Sequence, residues 1–95
     1  MQKITIQAYA TLGDILGSRN IELSATAATV GELIDFLATR FGASFKEILI
    51  DSHTNEVKNS YRILVNGRNV ESLNKLKTKI HGGDVVFFFP PVGGG

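Results

Sequence analysis

The sequence of 95 residues contains no cysteine and no tryptophan. Without cysteine the chain has no disulfide, no thiolate metal site, no thiol nucleophile and no side chain that holds a thioester. No apolar run approaches the roughly 20 residues that cross a bilayer. Nor does a continuous apolar stretch follow Lys3, as a signal peptide would require. These absences predict a cytoplasmic protein without a membrane partner.

An excess of charge of one sign is also missing. Ten basic residues stand against nine acidic ones, so the net charge is +1. Binding to a phosphate backbone needs a basic excess on one face, and the balance argues against a nucleic-acid partner. The length corresponds to one domain with a modest core.

Residues that do chemistry are scarce and scattered. His53 and His81 fall in predicted turns, and neither has a partner at metal-ligand or triad spacing. No pair of carboxylates is spaced for acid and base catalysis. Lys75, Lys77 and Lys79 alternate within a loop, either as a solvated edge or as a basic strip that faces an acidic protein. The sequence therefore predicts no metal site and no bound cofactor.

The spacing of hydrophobic residues changes along the chain between the alternation typical of strands and the period typical of helices, as expected for one mixed α/β unit. One region has no clean period: residues 11–18 contain two glycines and are predicted to be a loop that can include one helical turn, anchored by Leu12, Ile15 and Leu16. Residues 43–50 are predicted to form a short helical turn, and residues 51–60 an exposed loop. The strands are predicted at 3–10, 20–24, 61–65, 68–70 and 85–89, the first two as a hairpin and the third joined to the fourth by an Asn66-Gly67 turn.

One helix is predicted at residues 30–41, where apolar residues recur at helical spacing. Thr29 and Glu32 form a capping-box pattern, in which Thr29 accepts from the N–H of residue 32 and Glu32 from the N–H of residue 29. Gly42 is expected to end the helix in the left-handed conformation. The predicted fold is α+β, a mixed sheet packed on one main helix.

The last nine residues have a composition unlike that of the rest of the chain. Both prolines, three of the six phenylalanines and three of the ten glycines lie between Phe87 and Gly95. Pro90 and Pro91 withhold two N–H donors, so they end the last strand and stiffen the segment after it. The glycines make a thin end that can enter a narrow channel. The pattern therefore predicts a folded domain, residues 1–89, and an extended tail, residues 90–95, which on composition alone is either a frayed end or a segment that enters a partner.

The strand before the tail is apolar on both faces. If Val86 and Phe88 point to the helix, Phe87 and Phe89 point outward beside Tyr9 and form an exposed apolar patch, which on a small domain usually marks a partner site. The alternative is that residues 43–60 cover this face.

These features resemble the ubiquitin-like sulfur carriers, most of all the small subunit of molybdopterin synthase. The strand 84–89 runs into Pro90-Pro91-Val92, a variable small residue at Gly93, and the terminal pair Gly94-Gly95. The segment 64–68, Leu76-Lys77 and Gly83-Asp84 match the middle and end of the same family, and Ala25 to Leu37 match its helix start.

The resemblance implies a ubiquitin-like β-grasp fold, with four to five strands on one helix and a flexible tail. It also implies that a ubiquitin-activating-like adenylyltransferase uses ATP to adenylate the carboxylate of Gly95, which then becomes a thiocarboxylate. The tail, from Pro90, Pro91, Val92 and Gly93 to Gly94, would enter the large subunit of the synthase, where the sulfur is given to a pterin precursor in molybdenum or tungsten cofactor synthesis. The chain would be the sulfur-donating subunit of a sulfurtransferase rather than an enzyme on its own.

Three other functions remain open at this point. The chain is longer than the shortest family members, chiefly through residues 43–60, and some longer relatives are protein modifiers joined to lysines through the terminal glycine. The sulfur carriers of the thiamine pathway share the fold and the Gly-Gly end but typically lack Pro-Pro. A plain interaction domain with an inert tail would bind through Phe87 and Phe89 alone.

Overall fold

The computed structural model describes residues 2–90. Five strands form one mixed sheet in the order β2-β1-β5-β3-β4, and three α-helices pack with it. The strands are β1 (Gln2–Ala8), β2 (Asn20–Ala25), β3 (Arg62–Val65), β4 (Arg68–Asn69) and β5 (Val85–Phe89). The helices are α1 (Ala10–Leu16), α2 (Val30–Phe41) and α3 (Ser44–Leu49), and 3₁₀ turns cover Val70–Ser72 and Lys75–Lys77.

The sheet brings the two ends of the domain together at its centre. β1 pairs antiparallel with β2 and parallel with β5, and β5 pairs antiparallel with β3. The strand β5, which carries the tail, is therefore central, while β2 and β4 are the edges. This mixed sheet on one main helix confirms the predicted β-grasp architecture.

The core lies between the sheet and α2. Alternate residues of β1 and β5 enter it, as a strand with one buried face requires. Four side chains of α2 at helical spacing meet them, and α3 adds Phe45 and Leu49. The buried residues that line this layer are Ile4, Ile6, Ala8, Val30, Leu33, Ile34, Leu37, Phe45, Leu49, Val86 and Phe88.

Helix α2 begins and ends where the sequence predicts, with one change at each cap. Thr29 Oγ1 accepts from the N–H of Glu32 at 3.2 Å, as expected. Glu32 Oε1 accepts from the N–H of Ala28 at 3.0 Å rather than from that of residue 29. The left-handed conformation predicted for Gly42 is wrong: its φ of 129° is positive, but its ψ of 141° is extended. The chain leaves α2 on an extended path because α3 begins two residues later.

The loop with one helical turn predicted at residues 11–18 contains more helix than expected, because α1 occupies most of it. Leu12 and Leu16 are buried and anchor the helix. Each of the two glycines that suggested a loop has a structural role in this helix. A Cβ on Gly13 would lie 2.8 Å from the carbonyl oxygen of Ala8, so only glycine allows the backbone of residue 13 to lie this close to Ala8. Gly17 ends α1 in the left-handed conformation, with φ 81° and ψ 2°.

Other boundaries shift by one or two residues. The first strand ends at Ala8, and the predicted 68–70 strand has only two residues before a 3₁₀ turn. Residues 51–60 are mostly exposed, with one bridge between Ile50 and Val57 that makes them a loose hairpin. Among the described residues, no helix is both long and apolar enough to cross a bilayer.

Candidate functional site: the outer face of the last strand

The two faces of β5 have different partners. Val86 and Phe88 are fully buried, and the ring of Phe88 meets Phe45 of α3 edge-on, with the centroids 5.3 Å apart. Phe87 and Phe89 lie on the opposite face and are half-buried. Phe45 and Leu49 lie in the core, so α3 packs on the inner side of the sheet. The alternation predicted for this strand is confirmed.

Three aromatic rings form a stack on the outer face. The centroids of Tyr9 and Phe89 are 5.3 Å apart with the planes at 15°, and those of Phe89 and Phe87 are 5.9 Å apart at 9°. Leu64 lies opposite Phe87 in the register with β3. Aromatic pairs at such distances add roughly 0.5–1.5 kcal/mol beyond burial. We call Tyr9, Leu64, Phe87 and Phe89 the aromatic face.

A positive charge borders the aromatic face. Arg62 lies opposite Phe89 in the β3–β5 register and is exposed. In the described part of the chain, the ion pairs involve Lys3, Lys46, Lys75 and His81 but not Arg62. Sequence reasoning did not find Arg62 or Leu64, because only the strand register places them beside β5. A partner with an apolar centre and an acidic rim would complement this surface.

The start of β5 is held by polar contacts that the sequence only partly predicts. Asn66 and Gly67 have φ of 52° and 85°, as expected of the turn. The side chain of Asn66 also reaches the start of β5: its Nδ2 donates to Asp84 Oδ1 at 3.0 Å, and its Oδ1 accepts from Val85 N–H at 2.9 Å. Asp84 Oδ2 accepts from the N–H of His81 at 2.8 Å, which closes the predicted turn. These contacts hold the beginning of the strand whose other end leads to the tail.

The predicted site residues divide into two groups. Phe87 and Phe89 lie on the aromatic face, and Pro90 follows directly at the end of β5. Pro91, Val92, Gly93, Gly94 and Gly95 lie outside the described residues, so their predicted roles stay predictions.

The histidines and the lysine strip singled out in the sequence lie on the surface and form no site among the described residues. His53 and His81 are exposed, and residues 2–90 contain no group of three or more potential metal-ligating side chains. Lys75 forms an ion pair with Glu56 at 3.4 Å, so the predicted basic strip has at least one neutralised member.

Comparison with known proteins decides the family. The model of the ThiS family matches residues 6–95, nearly the whole chain. The chain belongs to the ThiS family. Small archaeal modifier protein 3 of Haloferax volcanii is 31% identical to it over 94 residues, which cover 98% of this chain and 99% of that protein.

Two solved structures of similar fold add to this. In the crystal structure of the BexX/CysO complex from Amycolatopsis orientalis, the matching chain superposes with a TM-score of 0.83 at 26% identity, over 97% of this chain and 99% of that one. A Pyrococcus furiosus protein named provisionally as molybdopterin converting factor subunit 1 superposes with a TM-score of 0.71 at 27% identity, over 97% of this chain and 100% of that one. The resemblance to ubiquitin-like sulfur carriers is thereby confirmed at the level of the family and the fold.

Proposed function

We propose that this ThiS-family protein is the sulfur-carrier subunit of a molybdopterin synthase. In the first step the carboxylate of Gly95 attacks the α-phosphorus of ATP on a ubiquitin-activating-like adenylyltransferase, and pyrophosphate leaves. A hydrosulfide equivalent from a sulfur donor then attacks the acyl carbon, and AMP leaves with its bonding electrons. The sulfur of the resulting thiocarboxylate then forms a C–S bond to a pterin precursor in the large subunit as an oxygen leaving group departs. Water hydrolyses the acyl–sulfur bond, which leaves the sulfur on the pterin and restores the carboxylate of Gly95.

The observation that carries the proposal is the position of the aromatic face. Phe89 is the last residue of β5 and directly precedes Pro90. A partner that binds the aromatic face therefore lies where the tail begins, and the Pro90-Pro91 pair restricts the directions in which the tail can leave. Binding energy from the face would position the tail in the partner's active site.

The missing cysteine supports the same chemistry. An acyl adenylate is open to attack by a thiolate, and this chain has none that would capture it internally. Sulfur is carried on the terminal carboxylate, so no thiol of the protein is needed. The Pyrococcus furiosus relative supports the choice of a molybdopterin synthase as the partner.

The experiment that tests the proposal is an intact-mass measurement. The purified chain is incubated with its adenylyltransferase, ATP and sulfide, and the replacement of one oxygen by sulfur is expected to add about 16 Da. A chain extended by one alanine after Gly95 is the control, because its fold is unchanged while its carboxylate is displaced from the adenylation site. An unchanged mass for the natural chain, with an active adenylyltransferase, would refute the proposal.

A second candidate shares the activation step and differs in the acceptor. The likeness to small archaeal modifier protein 3 favours a protein modifier, in which the activated Gly95 forms an isopeptide bond with a lysine of another protein. The last basic residue of the chain is Lys79, so trypsin would leave residues 80–95 on the modified lysine. Detection of this 16-residue remnant in cell extracts would support modification, and its absence beside a thiocarboxylate would support sulfur transfer alone.

The remaining alternatives are separated by the acceptor and by truncation. Transfer of the sulfur to a thiamine precursor rather than to a pterin would assign the chain to the thiamine pathway. Binding to a partner that is unaffected by removal of residues 93–95, with no mass change under any condition, would indicate an interaction domain.

A further inference from the structure

The strand β2 forms an open edge of the sheet. It has six residues and pairs on one side only, with β1. The opposite edge, β4, has two residues and is too short to receive another strand. β2 contains no proline and a single charge, Glu22. Long edge strands of this kind are templates for pairing with another chain.

The hydrogen-bonding direction of each residue in β2 follows from one bond. Ala8 N–H donates to Arg19 C=O at 2.9 Å, which makes these two a hydrogen-bonded pair in the β1–β2 register. Because such pairs alternate along an antiparallel ladder, the backbone groups of Ile21 and Leu23 also point to β1. Those of Asn20, Glu22 and Ser24 point away from the sheet.

One of the three outward residues already has a partner. Ser18 Oγ donates to the C=O of Asn20 at 3.1 Å and accepts from its N–H at 3.2 Å. This contact closes the edge at its beginning. Within the described residues, the N–H and C=O groups of Glu22 and Ser24 are left on the open edge, two donors and two acceptors one pleat apart.

We propose that this edge pairs with β2 of a second copy of the chain, antiparallel, about a two-fold axis at Leu23. In this register Glu22 of each copy lies opposite Ser24 of the other, and both are hydrogen-bonded pairs, so all four open groups are used. A register centred on Glu22 would place two like charges opposite each other, which is destabilising. A register centred on Ile21 would need the groups of Asn20 that Ser18 occupies.

The side chains agree with the same register. Ile21 and Leu23 share the helix side of the sheet with Ile6 and Ile4, yet they are only half-buried. The proposed pairing places Leu23 against Leu23 and Ile21 against Ala25, which covers the apolar surface at the edge. The second copy is therefore an occupant that matches both the backbone and the apolar groups.

Charges on the outer face are complementary as well. Lys3 Nζ lies 3.5 Å from Glu22 Oε1 within one copy. Lys3 is paired with Ser24 across the β1–β2 ladder. In the dimer, Ser24 lies between Lys3 of its own copy and Glu22 of the other copy. The positive and negative side chains of the two copies therefore alternate around the two-fold axis. The resulting sheet has ten strands, and the aromatic rings of β5 are separated from the new interface by β1 and β2 of the same copy.

The test uses sedimentation equilibrium of the full chain from about 10 μM to about 1 mM, the range in which a small interface associates. The average mass is expected to rise toward twice that of the monomer, with concentration-dependent NMR shifts at the amides of Glu22 and Ser24. Glu22→Pro removes an outward N–H that β1 does not use, so it preserves the fold and raises the dissociation constant at least tenfold.

Glu22→Thr is the matched control, because it also removes the charge but keeps the N–H, and it should still dimerise. Circular dichroism checks that both variants are folded. A chain that remains monomeric up to about 1 mM, or equal association of the two variants, would overturn the proposal. Shifts confined to a different surface would also overturn it.

Discussion

The inner and outer faces of β5 use the same amino acid for different purposes. Phe88 is 0% exposed and meets Phe45 edge-on in the core, while Phe87 and Phe89 lie half-buried in a stack on the opposite face. The inner ring is fully enclosed by the protein, whereas the outer rings stack on each other and on Tyr9 and remain partly exposed. Burial, rather than residue type, separates the part of the strand that stabilises the fold from the part that is free for a partner.

The largest expected effect comes from the inner face. Phe88→Ala should lower the free energy of unfolding by about 3–5 kcal/mol, because it removes a fully buried ring and leaves a cavity beside Phe45. Urea unfolding followed by circular dichroism measures the change. A loss below about 1.5 kcal/mol would mean that the inner face is less important to stability than its burial indicates.

The next effect concerns the contacts at the start of β5. Asn66→Gly keeps the positive φ of the turn but removes both side-chain bonds, to Asp84 and to Val85, and should cost about 1–2 kcal/mol. Asn55→Gly is the matched control, because Asn55 also has a positive φ, of 59°, and its side chain makes no hydrogen bond within residues 2–90. Equal losses in chemical denaturation would show that the Asn66 side chain does not hold the strand.

A smaller change in stability, with a larger change in binding, is expected on the outer face. Phe89→Ala breaks the stack with Tyr9 and Phe87 and should cost about 1 kcal/mol. Affinity for the proposed adenylyltransferase partner should fall tenfold or more, since buried aromatic residues dominate interfaces. Isothermal titration calorimetry measures the affinity. Ile48→Ala is the control, because Ile48 is a half-buried residue of α3. If both variants bound equally well, the aromatic face would not be the docking surface.

The smallest effect tests the polar part of the outer face. The Lys3 and Glu22 side chains are 70% and 58% exposed, so their ion pair is well solvated. Lys3→Gln should change the free energy of unfolding by less than about 0.5 kcal/mol in dilute solution. Thermal unfolding of both proteins at low and high salt measures this change in stability. A loss above about 1 kcal/mol would show that this part of the sheet contributes to stability more than its exposure allows.

Patterns within a short stretch of chain were predictable. α2 occupies residues 30–41 as expected, because its apolar period and the Thr29 cap are local signals. The Asn66-Gly67 turn and the alternation of β5 were predicted for the same reason. The helix α1 was predicted only as one turn within a loop, because glycine is typical of loops and its close contact with the carbonyl of Ala8 becomes visible only in the structure. The bonds of Asn66 to residues 84 and 85 were missed, because they join segments 18 and 19 residues apart.

The sequence by itself determined the absence of a thiol, the Pro90-Pro91 pair and the Gly-Gly end, since these are facts of composition and order that need no fold. It also determined the helix and strand periods, because each depends on neighbouring residues. The alternation of the last strand also predicted Phe87 and Phe89 beside Tyr9. Only the tertiary structure decided that these rings stack nearly parallel, that Arg62 borders them and that β2 is an open edge. Those features depend on strand order and register, which arise when residues far apart in the chain bury one shared core.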